Sequence, residues 1–443
     1  RSPSVSIDGS SVEGKVGEPF RLTASGSDPD NDALFYRWEF GDGSDAAYGK
    51  TVSHTYFLGA GSTFMVTCTA VDGRGGSAEA TIPVAVEGSD DPINSWTQTT
   101  LSDTGNFSFA AFGDGQFLVG GDGGTLAKRD AGAAGWAKAG DSGTKRRLFG
   151  GAIAGGMRLA VGWFGAVTVS KNGGAWRLAK GVELVNLEDV IHDGDQFIAV
   201  GKTGKVGLSP DGETWTFRDS GTDAWLKHVT IDGGTYAAVG TRGTIVTSTN
   251  GTKWTERNTP TSSGLESVAF GNSRFVAVGF KGTILYSDNG QRWIAAKSGT
   301  KEWLNDVTFG GGIFVAVGAN GTLLTSLDGK AWMRRSSGTE TSLGGVAFGD
   351  RRFIIAGRAG LILESGQLAA PPEPPTLTAT LAKGGKPRLV IDGQEGQLYR
   401  IEVSADLRQW KVLKLIEGAA KPVEFVDESG TTERTRFYRT VTP

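Results

Sequence analysis

Apolar and polar residues alternate in short runs, separated by clusters of Gly, Asn, Asp and Ser. This is the pattern of half-buried strands joined by tight turns. The clearest stretch reads Leu265-Glu-Ser-Val-Ala-Phe270, Arg274-Phe-Val-Ala-Val-Gly279, Gly282-Thr-Ile-Leu-Tyr-Ser287, then Trp293. Equivalent runs begin at Phe107, Leu148, Leu187, Leu226, Leu304 and Leu343. Seven tryptophans, Trp96, Trp136, Trp176, Trp215, Trp254, Trp293 and Trp332, recur every 39 or 40 residues. Five of them close one phrase: Ser170-Lys-Asn-Gly-Gly-Ala-Trp176, Ser209-Pro-Asp-Gly-Glu-Thr-Trp215, Ser248-Thr-Asn-Gly-Thr-Lys-Trp254, Ser287-Asp-Asn-Gly-Gln-Arg-Trp293 and Ser326-Leu-Asp-Gly-Lys-Ala-Trp332. A fixed period of this length predicts a repeat architecture. Each repeat supplies three strands and then a Trp strand, but the register is offset. Trp96 precedes the first unit, and the last ends at Ile362-Leu-Glu-Ser365 with no Trp after it. The Trp96 strand therefore completes the last blade of a seven-bladed β-propeller over residues 94–367, which removes the open edges of a linear stack.

The flanks predict two further all-β domains. Residues 1–88 alternate as a small sandwich, and Gly88-Ser-Asp-Asp-Pro92 reads as a linker. Ser27-Asp-Pro-Asp-Asn-Asp32, Trp38-Glu-Phe-Gly-Asp-Gly43, His54-Thr-Tyr56 and Val71-Asp-Gly73 together resemble the PKD domain. That resemblance implies a seven-stranded immunoglobulin-like sandwich of secreted or cell-surface proteins, a spacer or adhesive module. Pro371-Pro-Glu-Pro-Pro375 is a stiff polyproline spacer before a C-terminal β-sandwich module at 376–443. There, Tyr399-Arg-Ile-Glu-Val-Ser-Ala-Asp-Leu-Arg-Gln-Trp410 with Arg436-Phe-Tyr-Arg439 resembles small modules of secreted Verrucomicrobia and Planctomycetes proteins, which implies an attachment or sorting role. The Ser-x-Asp-Gly-x-x-Trp phrase resembles the Asp-box (BNR) repeat, and the whole propeller resembles those of the Ycf48 type. Arg129-Asp-Ala-Gly-Ala-Ala-Gly-Trp136 departs from the phrase. The phrase itself reads as structural: Asp or Asn with Gly makes a turn, Ser holds backbone amides and Trp packs between blades.

Composition narrows the function classes. Of 443 residues 69 are Gly, as short strands with tight turns require, and the net charge is −3, which provides no field for nucleic acid. There is no apolar run long enough for membrane insertion as a helix. A start at Arg1 with neither Met nor signal segment reads as a processed or excised piece. Cys68, the single cysteine, falls in an alternating strand and reads as a small core residue.

Three groups of residues could carry chemistry. Asp28, Asp30 and Asp32, with Asp72, offer a Ca²⁺ site or an Asx-rich turn, and both readings stay open. On the propeller, strand counting brings the turns between second and third strands and the blade-joining loops to one face. That face carries Trp163, Phe164, Trp225, Trp303, Phe280, Arg146, Arg147, Arg242, Lys281 and Arg358. Indole rings beside guanidinium groups suit a glycan or a protein partner; the alternative is that the rings pack on neighbouring loops. The inner strands begin at the channel mouth on the same face with Glu188-Asp189, Lys227-His228, Glu266-Ser267 and Asn305-Asp306. His228 supported by Asp189, Glu266 or Asp306 is the candidate catalytic set, against a water-filled channel lined by paired charges. Sialidases share the Asp box but need a Tyr nucleophile, and Tyr236 and Tyr286 fall inside strands.

The expected role is a non-catalytic extracellular or cell-surface binding or scaffold protein, secreted or periplasmic, or the C-terminal part of a larger one, able to join a larger assembly. Two alternatives stay open. One is a carbohydrate-active enzyme, a polysaccharide lyase or glycosidase, at the channel mouth. The other is an assembly factor docking on a membrane-protein complex through its arginines. No cofactor is expected apart from Ca²⁺ in the first domain.

Overall fold

The computed structural model describes residues 1–8, 12–15, 19–42, 46–56, 62–87, 92–180, 182–232, 234–368, 376–381, 386–392, 398–404, 411–417, 421–427 and 436–441. Gly43, the linker at 88–91, the polyproline stretch 371–375 and Trp410 lie outside them. Two compact units divide the chain: Pro92–Leu368, and Arg1–Asp91 with Ala369–Pro443. The described residues are all-β, with no helix beyond three-residue turns. None of them forms a helix long and apolar enough to cross a membrane.

Pro92–Leu368 is a seven-bladed propeller of four-stranded antiparallel sheets. The innermost strands are Phe107–Gly113, Leu148–Ala154, Leu187–His192, Leu226–Ile231, Leu265–Gly271, Leu304–Gly310 and Leu343–Gly349. Second strands such as Phe275–Val278 and Phe314–Val317 are almost wholly buried, because each blade face is covered by the next blade. The Val-Ala-Val sequences follow from that two-sided burial. Trp96–Thr100 pairs with Leu361–Ser365, Trp96 opposite Ser365 and Thr100 opposite Leu361, and so supplies the outer strand of the seventh blade.

The Trp phrases form the turns that lead into the outer strands. In four of them the Asp or Asn Oδ1 accepts the two backbone N–H groups that follow; Asp211 takes Glu213 (2.9 Å) and Thr214 (2.7 Å), and Asn250, Asn289 and Asp328 do the same. The indole N–H then closes on the turn glycine, as from Trp215 Nε1 to Gly212 O at 2.9 Å. The serine holds a backbone amide as well, Ser248 that of Asn250, Ser287 that of Asn289 and Ser326 that of Gly329, and it braces the Asp or Asn side chain, as Ser209 Oγ does to Asp211 Oδ1 at 3.2 Å. Gly212 has φ +70° and lies so close to Leu159 of the preceding blade that a Cβ would sit 2.9 Å from it. Trp215 is buried with Leu159 and Val161 of that blade and with Leu187 and Phe197 of its own, which is packing between blades. The phrase ending at Trp176 differs: Asn172 itself takes φ 49°, and the indole bonds Ala139 O.

In the N-terminal unit a three-stranded sheet faces a five-stranded one, eight strand segments rather than seven. Two of the segments are short, Val12–Lys15 and Ala47–Tyr48. Trp38, Phe40, Tyr56, Val66 and Cys68 fill the space between the sheets. Burial pushes the Cys68 thiol up to about 11, the behaviour of a core residue. Trp38 Nε1 donates to Gly49 O (2.9 Å), Tyr56 Oη to Phe40 O (2.7 Å), and His54 Nε2 meets Asp42 Oδ2 at 2.7 Å. The C-terminal strands form two three-stranded sheets around Leu389, Ile391, Tyr399, Ile401 and Ile416.

Candidate functional site

Every innermost strand of the propeller breaks register at the same place. The pairing skips one residue, a β-bulge, at Ser108, Phe149, Glu188, Lys227, Glu266, Asn305 and Gly344. A bulge sets two consecutive residues against one, so neither follows strict in–out alternation. Glu188 with Asp189, Lys227 with His228, Asn305 with Asp306, and Glu266 accordingly line one cavity of about 240 Å³ at the channel mouth. Ser108, Phe109, Phe149 and Gly344 form its other wall, and Arg147 and Arg358 stand on its rim. Asp189, His228 and Asp306 also line the wider lower channel, so they form the neck between the two.

The neck residues are largely occupied in binding blade to blade. Asp189 Oδ2 accepts the N–H of Val229 (3.1 Å), Ser267 Oγ that of Val307 (3.2 Å), and Asp306 Oδ2 that of Val346 (2.7 Å). Each acceptor sits in one blade and each donor in the next. His228 occupies the same position in the fourth blade, but its Nδ1 is buried without a partner. Its Nε2 lies 3.5 Å from Asp189 Oδ2 and 3.8 Å from Asp306 Oδ1, beyond hydrogen-bond range. Burial pushes the Asp306 carboxyl up, and Asp189 adds to this; His228, the Ser267 hydroxyl and the Val346 N–H oppose it.

The ring above is less satisfied. Lys227 Nζ binds Glu188 Oε2 at 2.9 Å and lies 4.1 Å over the ring of Trp225. Burial pushes Glu188 up, against the pull of Lys227. It pushes Glu266 up as well, with Lys227 opposing and Glu188 adding to the shift. Glu188 Oε1 has no hydrogen bond, and the Trp225 indole N–H faces the same carboxylate without completing one.

On the loop face the rings and cations fall into separate groups. Phe149 and Trp163 meet edge to face at 5.6 Å. Phe164, 57% exposed, lies beside them in sequence with Arg146 5.7 Å over its ring and bonded to its carbonyl (2.7 Å). Phe280 and Trp303 stack at 4.3 Å, and Trp303 remains 52% exposed. Not every expected contact residue is free. Arg147 is held by Asp122 (3.1 Å), Ser108 (3.1 Å) and the ring of Phe149; Arg242 is paired with Asp223. Trp225 is partly buried, between Lys227 and Lys202, rather than a rim aromatic. Lys281 and Arg358 are exposed. Phe149, absent from the sequence-derived set, enters because it is the bulge residue of its blade.

In the first domain Asp28 Oδ1 accepts the N–H groups of Asp30 (2.7 Å) and Asp32 (3.3 Å), and Asp72 Oδ1 those of Arg74 (2.7 Å) and Gly76 (2.9 Å). Asp32 pairs with Arg74 at 3.2 Å. The four carboxylates are arranged as turn caps and ion pairs. Among the described residues no three His, Cys, Asp or Glu side chains converge to hold a metal.

Residues 1–87 match the PKD domain family. The PKD core is the Trp38–Phe40–Tyr56 packing described above. The chain is similar in fold to the WD40 β-propeller domain of Doa1, at TM-score 0.50 and 11% identity over 62% of this chain and 96% of that one. It is also similar to the Neurospora crassa Pan2 WD40 domain (TM-score 0.48, 9% identity, 62% and 96%) and to the designed protein Ika8 (TM-score 0.46, 14% identity, 60% and 98%). These likenesses concern the propeller fold alone. No curated protein matches the chain.

Proposed function

We propose that this is a non-catalytic binding or scaffold protein, secreted or at a cell surface. It holds a glycan or protein partner on the loop face of its propeller, with the PKD domain and the C-terminal sandwich as spacer and attachment modules. One observation carries this: the stacked Phe280–Trp303 pair, with Trp303 half exposed at the start of an inner strand. An exposed indole already fixed by stacking loses little entropy on binding and offers a flat apolar face. Catalysis at the mouth has weaker support. Asp189 and Asp306 are engaged with backbone amides, and His228 makes no hydrogen bond to either.

The test is binding to an array of acidic and neutral glycans and to candidate protein partners, with bound glycans checked for cleavage by mass spectrometry. Binding without cleavage, weakened at least tenfold by Trp303→Ala, is the expected result. If Trp303→Ala and Trp163→Ala both bind as the parent does, the loop face is not the site. Cleavage lost on His228→Ala would establish an enzyme instead.

A further inference from the structure

Glu188, Lys227 and Glu266 occupy the bulge positions of three successive blades, so one ammonium group stands between two carboxylates. Lys227 is committed to Glu188 Oε2 and to the Trp225 ring. Glu188 is only 6% exposed, lines the mouth cavity, and has Oε1 unsatisfied. A buried carboxylate oxygen without a partner costs free energy that folding alone does not recover, which points to a partner supplied from outside. Below the ring, Asp189 and Asp306 place two more carboxyl groups in the lining. The opposite wall is of another kind: Phe149 presents a ring, with Arg147 5.1 Å over it, and Gly344 presents bare backbone. One side of the cavity thus accepts hydrogen bonds from a cation, and the other accepts hydrocarbon.

We propose that the channel mouth is a binding site for a protonated amine on a short apolar stem, its ammonium group between Glu188 Oε1 and the Glu266 carboxylate and its stem on the side of Phe149 and Gly344. The cavity of about 240 Å³ has room for an amine of a few carbons. Burial raises the Glu266 carboxyl and Glu188 adds to this against Lys227; a second ammonium beside it opposes that push. The same chemistry is carried by a free alkylamine or by a lysine side chain of a partner.

The probe is n-butylammonium, with n-butanol as its neutral isostere, titrated into the full chain. Binding is followed by ligand-observed NMR and by the fluorescence of Trp225, with Trp225→Phe identifying that signal. Saturable binding of butylammonium, at least tenfold tighter than butanol and weakened at least tenfold by Glu266→Gln, is expected. Equal binding of the two probes overturns the proposal and needs no variant. So does unchanged butylammonium binding by a folded Glu266→Gln protein. The capped peptide Gly-Lys-Gly then separates the sources: binding as tight as butylammonium assigns the cation to a partner's side chain, and exclusion assigns it to a free amine. Trp303 is not among the residues lining this cavity. Failure here leaves the loop-face reading standing, and loss of the loop face leaves this site intact.

Discussion

Glu266 illustrates what is specific to single residues here. Its carboxyl is raised by burial and by Glu188, with Lys227 as the opposing influence. A raised acid favours the fold in its protonated form. Its contribution is fully present below the ordinary Glu value of 4.5 and is lost as pH climbs through the raised value. Glu266→Gln removes that loss, so the variant should melt higher than the parent at pH 8, by roughly 2 °C or more, while the two converge near pH 4. Thermal unfolding at the two pH values checks this; a lower melting point for the variant at pH 8 would mean that Lys227 outweighs the repulsion. The residue types at the mouth are legible in the sequence as polar pairs beginning each inner strand. Their presentation is not. A bulge adds a residue without altering the apolar rhythm on either side, so Phe149 reads as one more strand residue and the orphaned oxygen of Glu188 leaves no trace.

At the scale of the element, the repeat is written in two turns. The Asp-or-Asn turn is readable because it needs particular side chains at fixed spacing: an acceptor for two amides, a glycine at positive φ, an indole to close. Asp211→Ala leaves the Glu213 and Thr214 N–H groups without their acceptor and should cost about 1–2 kcal/mol in chemical unfolding, comparable to loss of a helix cap. The turn between second and third strands is harder to read. Its left-handed residue is Gly123, Phe164, Thr203, Arg242, Lys281, Asn320 or Ala359 from blade to blade, with no shared chemistry. The glycine after it is fixed by space. At Gly321 φ is +61° and a Cβ would lie 1.8 Å from Thr339 O. Gly321→Ala should therefore destabilise by more than about 3 kcal/mol or abolish soluble expression, whereas Ala359→Gly, at a left-handed position, should be neutral or mildly stabilising. A mild effect of Gly321→Ala would show that the joining loop yields.

For the whole molecule the question is how the ring stays shut. The offset of Trp96 makes the closing strand legible, since a strand without a blade and a blade without a strand are complementary. A second closure is not legible. Arg129, in the third strand of blade one, forms an ion pair with Glu364, 235 positions later, in the third strand of blade seven, and Glu364 also binds Arg352. Arg129 is only 4% exposed and lies 5.5 Å over Phe117 and 5.8 Å over Trp136, so it is packed as well as paired. Charge alone could not reveal this pair, because any of many acids might face an arginine in a strand. Breaking a buried pair on one side leaves a charge that cannot reach water. Glu364→Gln should therefore cost the propeller about 3–5 kcal/mol, while Arg129→Met with Glu364→Leu, which removes both charges and keeps the volume, should cost far less. Arg352 keeps only Asp350, at 3.6 Å, once Glu364 is Leu, so the double variant carries that loss as well. If the double variant is as unstable as the single one, the ring depends on the attraction itself. If Glu364→Gln is harmless, the Trp96 strand and the apolar packing of Phe107 and Phe117 on Ile354 and Ile362 hold the ring closed, and cutting that strand away should then be the more damaging change.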